Sequence, residues 1–244
     1  MTHLQIIIAE AALELIPKQI RKHPSIIKYA KKRGKNPKEI LLDASYHHHA
    51  MKKLEEKWKR GRPDITHITL LHILGTPANL EGYIQTYVHT INDKVIYINP
   101  QTRLPRNYLR FTGLIEQLFI KGQVPPKTEK PLLKIQKQTL QQLLNKIKPT
   151  KTIILTTNGQ KYTPWKIAKI LANEQKPALI IGGFPHGTFK QQNLKLADIK
   201  ATIYPKPLET WTVTALIIHA YEKEMKIYEK AWNKPQNFQL NSQV

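Results

Sequence analysis

The chain has 244 residues, 41% of them hydrophobic and 23% charged, which is the composition of a globular protein with a buried core. Its 39 Lys and Arg against 17 Asp and Glu give a formal net charge of +22, which points to a polyanionic partner, most often nucleic acid. The absence of cysteine excludes disulfides, thiolate catalysis and cysteine-based zinc or iron–sulfur sites.

No stretch of the sequence is long enough to cross a membrane. The longest apolar runs, residues 178–184 and 215–218, are far shorter than the roughly 18 residues that a spanning helix needs. The first 16 residues carry Glu10 and Glu14 within their apolar run, which is not typical of a signal peptide. We therefore expect a cytoplasmic protein without a membrane partner.

Short β-branched runs alternate along the chain with amphipathic helical runs, which predicts an α/β fold with a mainly parallel sheet. The predicted strands are 4–8, 40–43, 83–90, Lys94–Ile98, 152–156, 178–181 and 201–204. The third and fourth strands are expected to pair as a hairpin. The predicted helices are 47–60, 64–74, 106–120, 131–147, 164–174 and 209–230. The polar residues 233–244 are expected to form a loosely docked tail.

The positive charge is concentrated in two segments. Residues 18–60 hold 14 Lys and Arg against 4 Asp and Glu, and residues 121–151 hold 8 against 1. Residues 207–230 are nearly neutral, with 3 Lys against 4 Glu. This distribution favours one side of the molecule for a polyanion and another for packing.

The segment Arg60-Gly61-Arg62-Pro63-Asp64-Ile65 places an arginine two residues before an aspartate. A charge-assisted hydrogen bond between Arg62 and Asp64 would aim the guanidinium at a phosphate or a base. Asp64 could equally cap the helix that follows, and the two interpretations are compatible.

A second arginine group lies in the segment Arg103-Leu104-Pro105-Arg106-Asn107-Tyr108-Leu109-Arg110. With Pro105 at the start of the predicted helix, the spacing would put Arg103, Arg106 and Arg110 on one side. Three guanidiniums there would suit contiguous phosphates, and a merely solvated helix face is the alternative.

Two further motifs are candidate sites. Residues 180–187 run from an apolar strand into a glycine-rich loop, the place where open α/β sheets bind ligands, although an ordinary tight turn would give the same pattern. The histidines in Tyr46-His47-His48-His49 point in different directions on a helix, so we expect no metal site there. A contact with RNA, or a capped helix start after Asp43 and Ser45, fits this run better.

Taken together, these motifs resemble the small-subunit rRNA pseudouridine-N(1)-methyltransferase family, the EMG/NEP ribosome-biogenesis family of the SPOUT class. The matching elements span roughly residues 4–230 in the family's order, and the short length is similar to that of the archaeal branch. They are 41–43 with 45–49, 62–67, 103–106 with Arg110 and Phe111, 113–114, 117–118, 182–187 and 204–208.

The resemblance implies a SPOUT-type fold with a C-terminal trefoil knot and a family-specific insertion. It implies a single domain over residues 1–232, with the RNA-binding part at about 45–125 and the knotted cofactor-binding part at about 150–230. It also implies S-adenosylmethionine as cofactor and a homodimer that methylates ring nitrogen 1 of a pseudouridine in a loop of small-subunit (16S) rRNA during ribosome biogenesis. An rRNA-binding assembly factor whose methylation is incidental is the alternative function.

The resemblance also implies the site residues, carried over onto this sequence. Arg62, Asp64, Arg103, Arg106 and Arg110 would bind RNA, and Asp64 would act either as the base that removes the proton from ring nitrogen 1 or as the residue that orients Arg62. The expected cofactor-binding residues are Leu155, Gly182, Gly187, Ile203, Tyr204, Pro205, Lys206, Pro207 and Leu208.

The near-neutral helix predicted at 209–230 carries an apolar set that includes Trp211, Leu216 and Tyr221. Burial within one chain and burial between two like-charged subunits explain this pattern equally well. The family resemblance favours the two-fold homodimer.

Overall fold

The computed structural model describes residues 4–234, so most of the expected polar tail lies outside the described residues. The strands are β1 (Leu4–Ala11), β2 (Ile84–Thr90), β3 (Lys94–Ile98), β4 (Gln123–Val124), β5 (Leu133–Lys137), β6 (Lys151–Lys161), β7 (Pro177–Gly182) and β8 (Ile199–Thr202). The helices are α1 (Pro24–Arg33), α2 (Ala44–Met51), α3 (Pro63–Leu74), α4 (Pro77–Leu80), α5 (Tyr108–Lys121), α6 (Leu140–Ile147), α7 (Pro164–Ala172), α8 (Gln191–Leu194), α9 (Thr210–Glu224) and α10 (Ile227–Trp232).

All eight strands form one sheet in the order β4-β5-β3-β2-β1-β7-β6-β8. The five strands from β2 to β8 in that order are parallel to one another, whereas β3, β5 and β4 add an antiparallel edge. The predicted α/β class, the mainly parallel sheet and the β2–β3 hairpin are confirmed. Because parallel strands share a direction, the carboxyl ends of β1, β6 and β7 meet at one edge of the sheet.

Three sequence predictions of secondary structure are wrong. The strand at 40–43 does not form, and Leu41 makes only an isolated bridge to Leu15. The helix predicted at 47–60 ends at Met51. Glu56 then adopts a left-handed φ of 46°, and only a 3₁₀ turn at Lys57–Lys59 follows.

The third error is the helix predicted at 131–147. Its first half includes β5, in which the buried Leu133 and the half-buried Ile135 alternate with Lys134 and Gln136, the period of a strand. The helix predicted at 209–230 is interrupted at Lys226, whose φ is +53°, so it forms α9 and α10.

The core lies on both faces of the sheet, and β1 is buried along its whole length. Helices α3, α5, α7 and α9 cover one face, while α6 covers part of the other. In α9 the side chains of Ile217 and Tyr221 are fully buried within the chain, but Leu216 is 39% exposed. The apolar residues of α9 are therefore only partly buried by the rest of the chain.

Candidate cofactor cavity and nucleic-acid interface

The middle of β6, the loops after β7 and β8 and the start of α9 enclose a cavity. Eight of the nine residues expected to bind the cofactor line it, namely Leu155, Gly182, Gly187, Ile203, Tyr204, Lys206, Pro207 and Leu208. The ninth, Pro205, is not among the lining residues. Phe184 and His186 of the predicted glycine-rich loop also line the cavity, and so do Thr156, Thr157 and Thr210, which sequence reasoning missed.

Backbone pairing and hydroxyl groups fix the cavity walls. Leu155 on β6 lies in register with Ile181 on β7, and this is the last residue pair between the two strands. The Thr210 hydroxyl donates to the Gly182 carbonyl at 2.7 Å, and the Thr202 hydroxyl donates to the Tyr204 carbonyl at 3.0 Å. The start of α9 is thus tied to the glycine loop. Thr156 could have been proposed from sequence, because it is the last residue of the strand predicted at 152–156, at the end where parallel sheets bind ligands.

The two key glycines have different roles. A Cβ on Gly182 would lie 2.9 Å from the Phe184 ring, so a larger residue must first displace Phe184, which is itself a wall of the cavity. Gly187 adopts a φ of +92°, a backbone conformation that residues with side chains rarely adopt.

The chemistry of the walls suits an adenosyl ligand. Leu155, Ile181 and Val213 supply apolar surface, threonine hydroxyls supply hydrogen-bonding groups, and Lys206 supplies a cation for an anionic end. None of the described residues that line the cavity is acidic. Pockets of this kind, mostly apolar with a few polar groups, are typical of small-molecule sites.

Arg62 and Asp64 form a bidentate ion pair at the start of α3. Arg62 Nε donates to Asp64 Oδ1 at 2.8 Å and Nη2 donates to Oδ2 at 2.7 Å, which raises the pKa of Arg62. The N-cap position is held by Arg62, and Asp64 lies in the first turn, so the expectation that Asp64 caps the helix is wrong. Both side chains remain about one-third exposed, so the pair can meet a ligand.

Arg103, Arg106 and Arg110 are all exposed. Their side chains make no hydrogen bond or ion pair with any residue between 4 and 234. Only Arg110 is helical, because α5 begins at Tyr108 behind an Asn107 cap. The expectation of one helical side for all three, with Pro105 at the helix start, is therefore wrong.

Comparison with known proteins identifies the family. The family model described as EMG1/NEP1 methyltransferase matches residues 6–222. The chain belongs to the EMG1/NEP1 methyltransferase family. Relatives with the name ribosomal RNA small subunit methyltransferase Nep1 include that of Staphylothermus marinus, 49% identical over 89% of this chain and 94% of the relative, and that of Pyrococcus furiosus, 47% identical over 91% and 97%.

A solved structure of the same family shares the fold. It is the crystal structure of Archaeoglobus fulgidus Nep1 bound to S-adenosylhomocysteine, which matches with a TM-score of 0.80 and 34% identity, covering 92% of this chain and 99% of that one. The resemblance read from the motifs, and with it the SPOUT-type fold, is thereby confirmed.

This EMG1/NEP1 family member holds its arginine segment in place through contacts that sequence reasoning missed. The Tyr108 hydroxyl donates to Asp43 Oδ2 at 2.5 Å, and burial together with this bond raises the pKa of Tyr108 far above its ordinary value. His67 Nε2 donates to the Pro105 carbonyl at 2.7 Å, and its ring stacks on Phe111 at 4.2 Å between centroids. The partners in these contacts are 38 to 65 residues apart, so no local pattern could reveal them.

The histidine run lies in α2, behind an Asp43 cap. His47 is buried, and burial lowers its pKa to about 4. Between residues 4 and 234 no group of three or more His, Cys, Asp or Glu side chains is arranged to hold a metal ion. In the same part of the chain no helix is long and apolar enough to cross a membrane.

Proposed function

We propose that this protein uses S-adenosylmethionine to methylate ring nitrogen 1 of a pseudouridine in a loop of small-subunit rRNA, and that it acts in ribosome biogenesis. The observation that carries the proposal is the cavity at the strand ends, which gathers eight of the nine residues expected to bind the cofactor. Membership of a methyltransferase family, relatives named for small-subunit rRNA and a family structure bound to S-adenosylhomocysteine support it.

When bound, S-adenosylmethionine supplies the methyl group. Leu155, Ile203 and Leu208 would form apolar walls for its adenine, and Lys206 would attract its carboxylate. The hydrogen bond from Thr210 keeps the Gly182 peptide fixed, which pre-forms the cavity. Such preorganisation lowers the cost of binding.

The RNA would approach over the exposed arginines. Arg62, Arg103, Arg106 and Arg110 would bind phosphates and nucleotides that flank the target, and a single-stranded loop suits them because its bases can leave the stack. Most of the catalysis would then be positioning of the base against the methyl group.

For Asp64 the geometry supports the orienting role. Both of its carboxylate oxygens already accept hydrogen bonds from Arg62, so the carboxylate fixes the guanidinium. We propose that Asp64 holds Arg62 in its RNA-binding orientation.

We also propose a homodimer. Leu216 and Trp165 are 39% and 54% exposed, and Trp165 packs edge-on against His219, one turn from Leu216 on α9. An exposed apolar surface on a chain with a net charge of +22 suits contact with a second subunit. Light scattering at low micromolar concentration should give twice the chain mass of 28.3 kDa, and a mass of one chain would contradict the dimer.

The remaining proposals rest on the family resemblance. They are the single domain over 1–232 with its RNA-binding part at about 45–125 and its cofactor part at about 150–230, the C-terminal trefoil knot, and a cytoplasmic location. The uninterrupted sheet from β4 to β8 supports the single domain.

Calorimetric titration with S-adenosylmethionine tests the first requirement of the enzyme. We expect one binding site per chain. A folded protein that binds loop RNA but no S-adenosylmethionine would contradict the proposal and favour the RNA-binding assembly factor.

A further inference from the structure

Glu10 lies at the carboxyl end of β1 and is 1% exposed, with a left-handed φ of 51°. Its Oε1 accepts hydrogen bonds from the backbone N–H of Lys190 at 2.7 Å and from Asn193 Nδ2 at 2.8 Å. Its Oε2 accepts from Lys59 Nζ at 2.6 Å. The buried carboxylate therefore joins the far end of the loop 182–190, called here the cofactor loop, to a lysine from a distant segment.

Lys59 also contacts the middle of the cofactor loop. Its side chain is only 3% exposed, and its ammonium lies 4.5 Å from the centre of the Phe184 ring. A Cβ on Gly187 would lie 3.4 Å from Lys59 Cε, so the backbone of the loop passes directly over the lysine. Phe184 and Gly187 both line the cofactor cavity. Lys59 does not line the cavity itself, but it contacts two residues of the cavity wall.

The same lysine belongs to the segment expected to bind RNA. It ends the 3₁₀ turn Lys57–Lys59, three residues before Arg62 and next to the exposed Trp58. A surface groove is lined by Trp58 and Arg62 on one side and by Pro185 and His186 of the cofactor loop on the other. Pro185 and His186 also line the cofactor cavity, so the groove and the cavity share a wall.

We infer that Lys59 is a positioning residue that couples the two sites, so that cofactor and RNA each bind more tightly when the other is present. This inference rests on the proposed function. A buried lysine cannot leave its carboxylate without stranding a charge, so the turn at 57–59 and the cofactor loop keep one relative position. RNA that orders the turn would therefore order the loop, and the coupling must be reciprocal.

The test is calorimetric titration of S-adenosylhomocysteine, alone and with a saturating pseudouridine-containing loop oligonucleotide. The product form of the cofactor prevents turnover. For the natural protein we expect binding at least about 5-fold tighter with RNA present, the lower end of typical couplings. In Lys59→Met the ratio should fall to about one, because the link between turn and loop is lost.

Lys35→Met is the matched control. Lys35 Nζ also lies 2.6 Å from a buried carboxylate, that of Glu116, but the described contacts of this pair do not include the cofactor loop. This variant should keep the coupling ratio of the natural protein. A lysine whose role was only to stabilise the fold would lower the melting temperature without changing the ratio.

Lys59→Met leaves Glu10 without its cation, so the double variant Glu10→Gln with Lys59→Met provides a neutral pair if the single variant does not fold. A coupling ratio above about 5 in either folded variant would overturn the inference, as would a ratio of one in the natural protein. Failure of the natural protein to bind S-adenosylhomocysteine at all would instead contradict the proposed function.

Discussion

Cationic side chains are used in opposite ways in two regions of this molecule. Near the end of β1, Lys59 and Arg60 bind the buried carboxylates of Glu10 and Glu14 at 2.6 Å. Along the 103–110 segment the arginines are exposed and have no partner among residues 4–234. In the first region the cations stabilise the fold by pairing with buried carboxylates. In the second region the cations remain available to a ligand. The net charge of +22 therefore does not by itself indicate which surface could bind RNA. The cations that pair with buried carboxylates must first be excluded.

The largest effect should come from the paired region. Arg60→Ala leaves Glu14, which is 2% exposed, with Asn92 as its one remaining side-chain hydrogen-bond donor among residues 4–234. We expect the free energy of unfolding, measured by urea denaturation, to fall by about 3–5 kcal/mol, as for other broken buried pairs. A change within experimental error would mean that Glu14 is readily rehydrated and that the pair adds little to the fold.

The next effect concerns the cavity. Gly182→Val must displace Phe184 and should weaken S-adenosylhomocysteine binding about 100-fold, or roughly 3 kcal/mol, while the protein stays folded. Gly113→Val is a suitable control, because a Cβ there meets no atom within 4 Å. Equal affinities of the two folded variants in calorimetry would remove the glycine loop from the cofactor site.

A smaller effect is expected at the unpaired arginines. Replacing Arg103, Arg106 or Arg110 by Ala should each weaken RNA binding by about 1–3 kcal/mol and reduce its salt dependence. The melting temperature should hardly change, since no side-chain hydrogen bond or ion pair within the described chain is lost. Stability loss with unchanged RNA affinity would reverse this assignment and make the arginines structural.

The smallest effect is a pH dependence at His47, which is buried in α2. His47 has a folded pKa of about 4, below its ordinary 6.5, so the folded state binds fewer protons than the unfolded state. Its stabilising contribution is complete above pH 6.5 and is lost as the pH falls toward 4. Burial also lowers the pKa values of His72 and His89, so these groups share the dependence. Between pH 7.5 and 6 we expect the loss in unfolding free energy to be about 1 kcal/mol smaller in His47→Gln than in the natural protein. An equal loss in that variant would assign the dependence to other groups.

The sequence predicted those features that depend on residues close together in the chain or on the family resemblance. The alternation of strands and helices predicted the parallel sheet, and the resemblance supplied the residues around the cavity. The strand Leu133–Lys137 was missed because a charged run next to a true helix hides its two-residue period. The sequence showed Glu10 only as a charged residue within an apolar run and did not indicate its partner. Its pairing with Lys59 spans 49 residues and depends on tertiary packing that no local pattern records.

The proposed methyl transfer to pseudouridine is tested most directly by one assay. The protein is incubated with S-adenosylmethionine and a loop oligonucleotide that contains one pseudouridine, and the product nucleosides are analysed by mass spectrometry. In a matched oligonucleotide with uridine, ring nitrogen 1 is bonded to the ribose and cannot accept a methyl group. We expect one methyl group on ring nitrogen 1 of the pseudouridine and none on the uridine control. Binding of both RNA and cofactor without transfer, or equal methylation of the two oligonucleotides, would contradict the account.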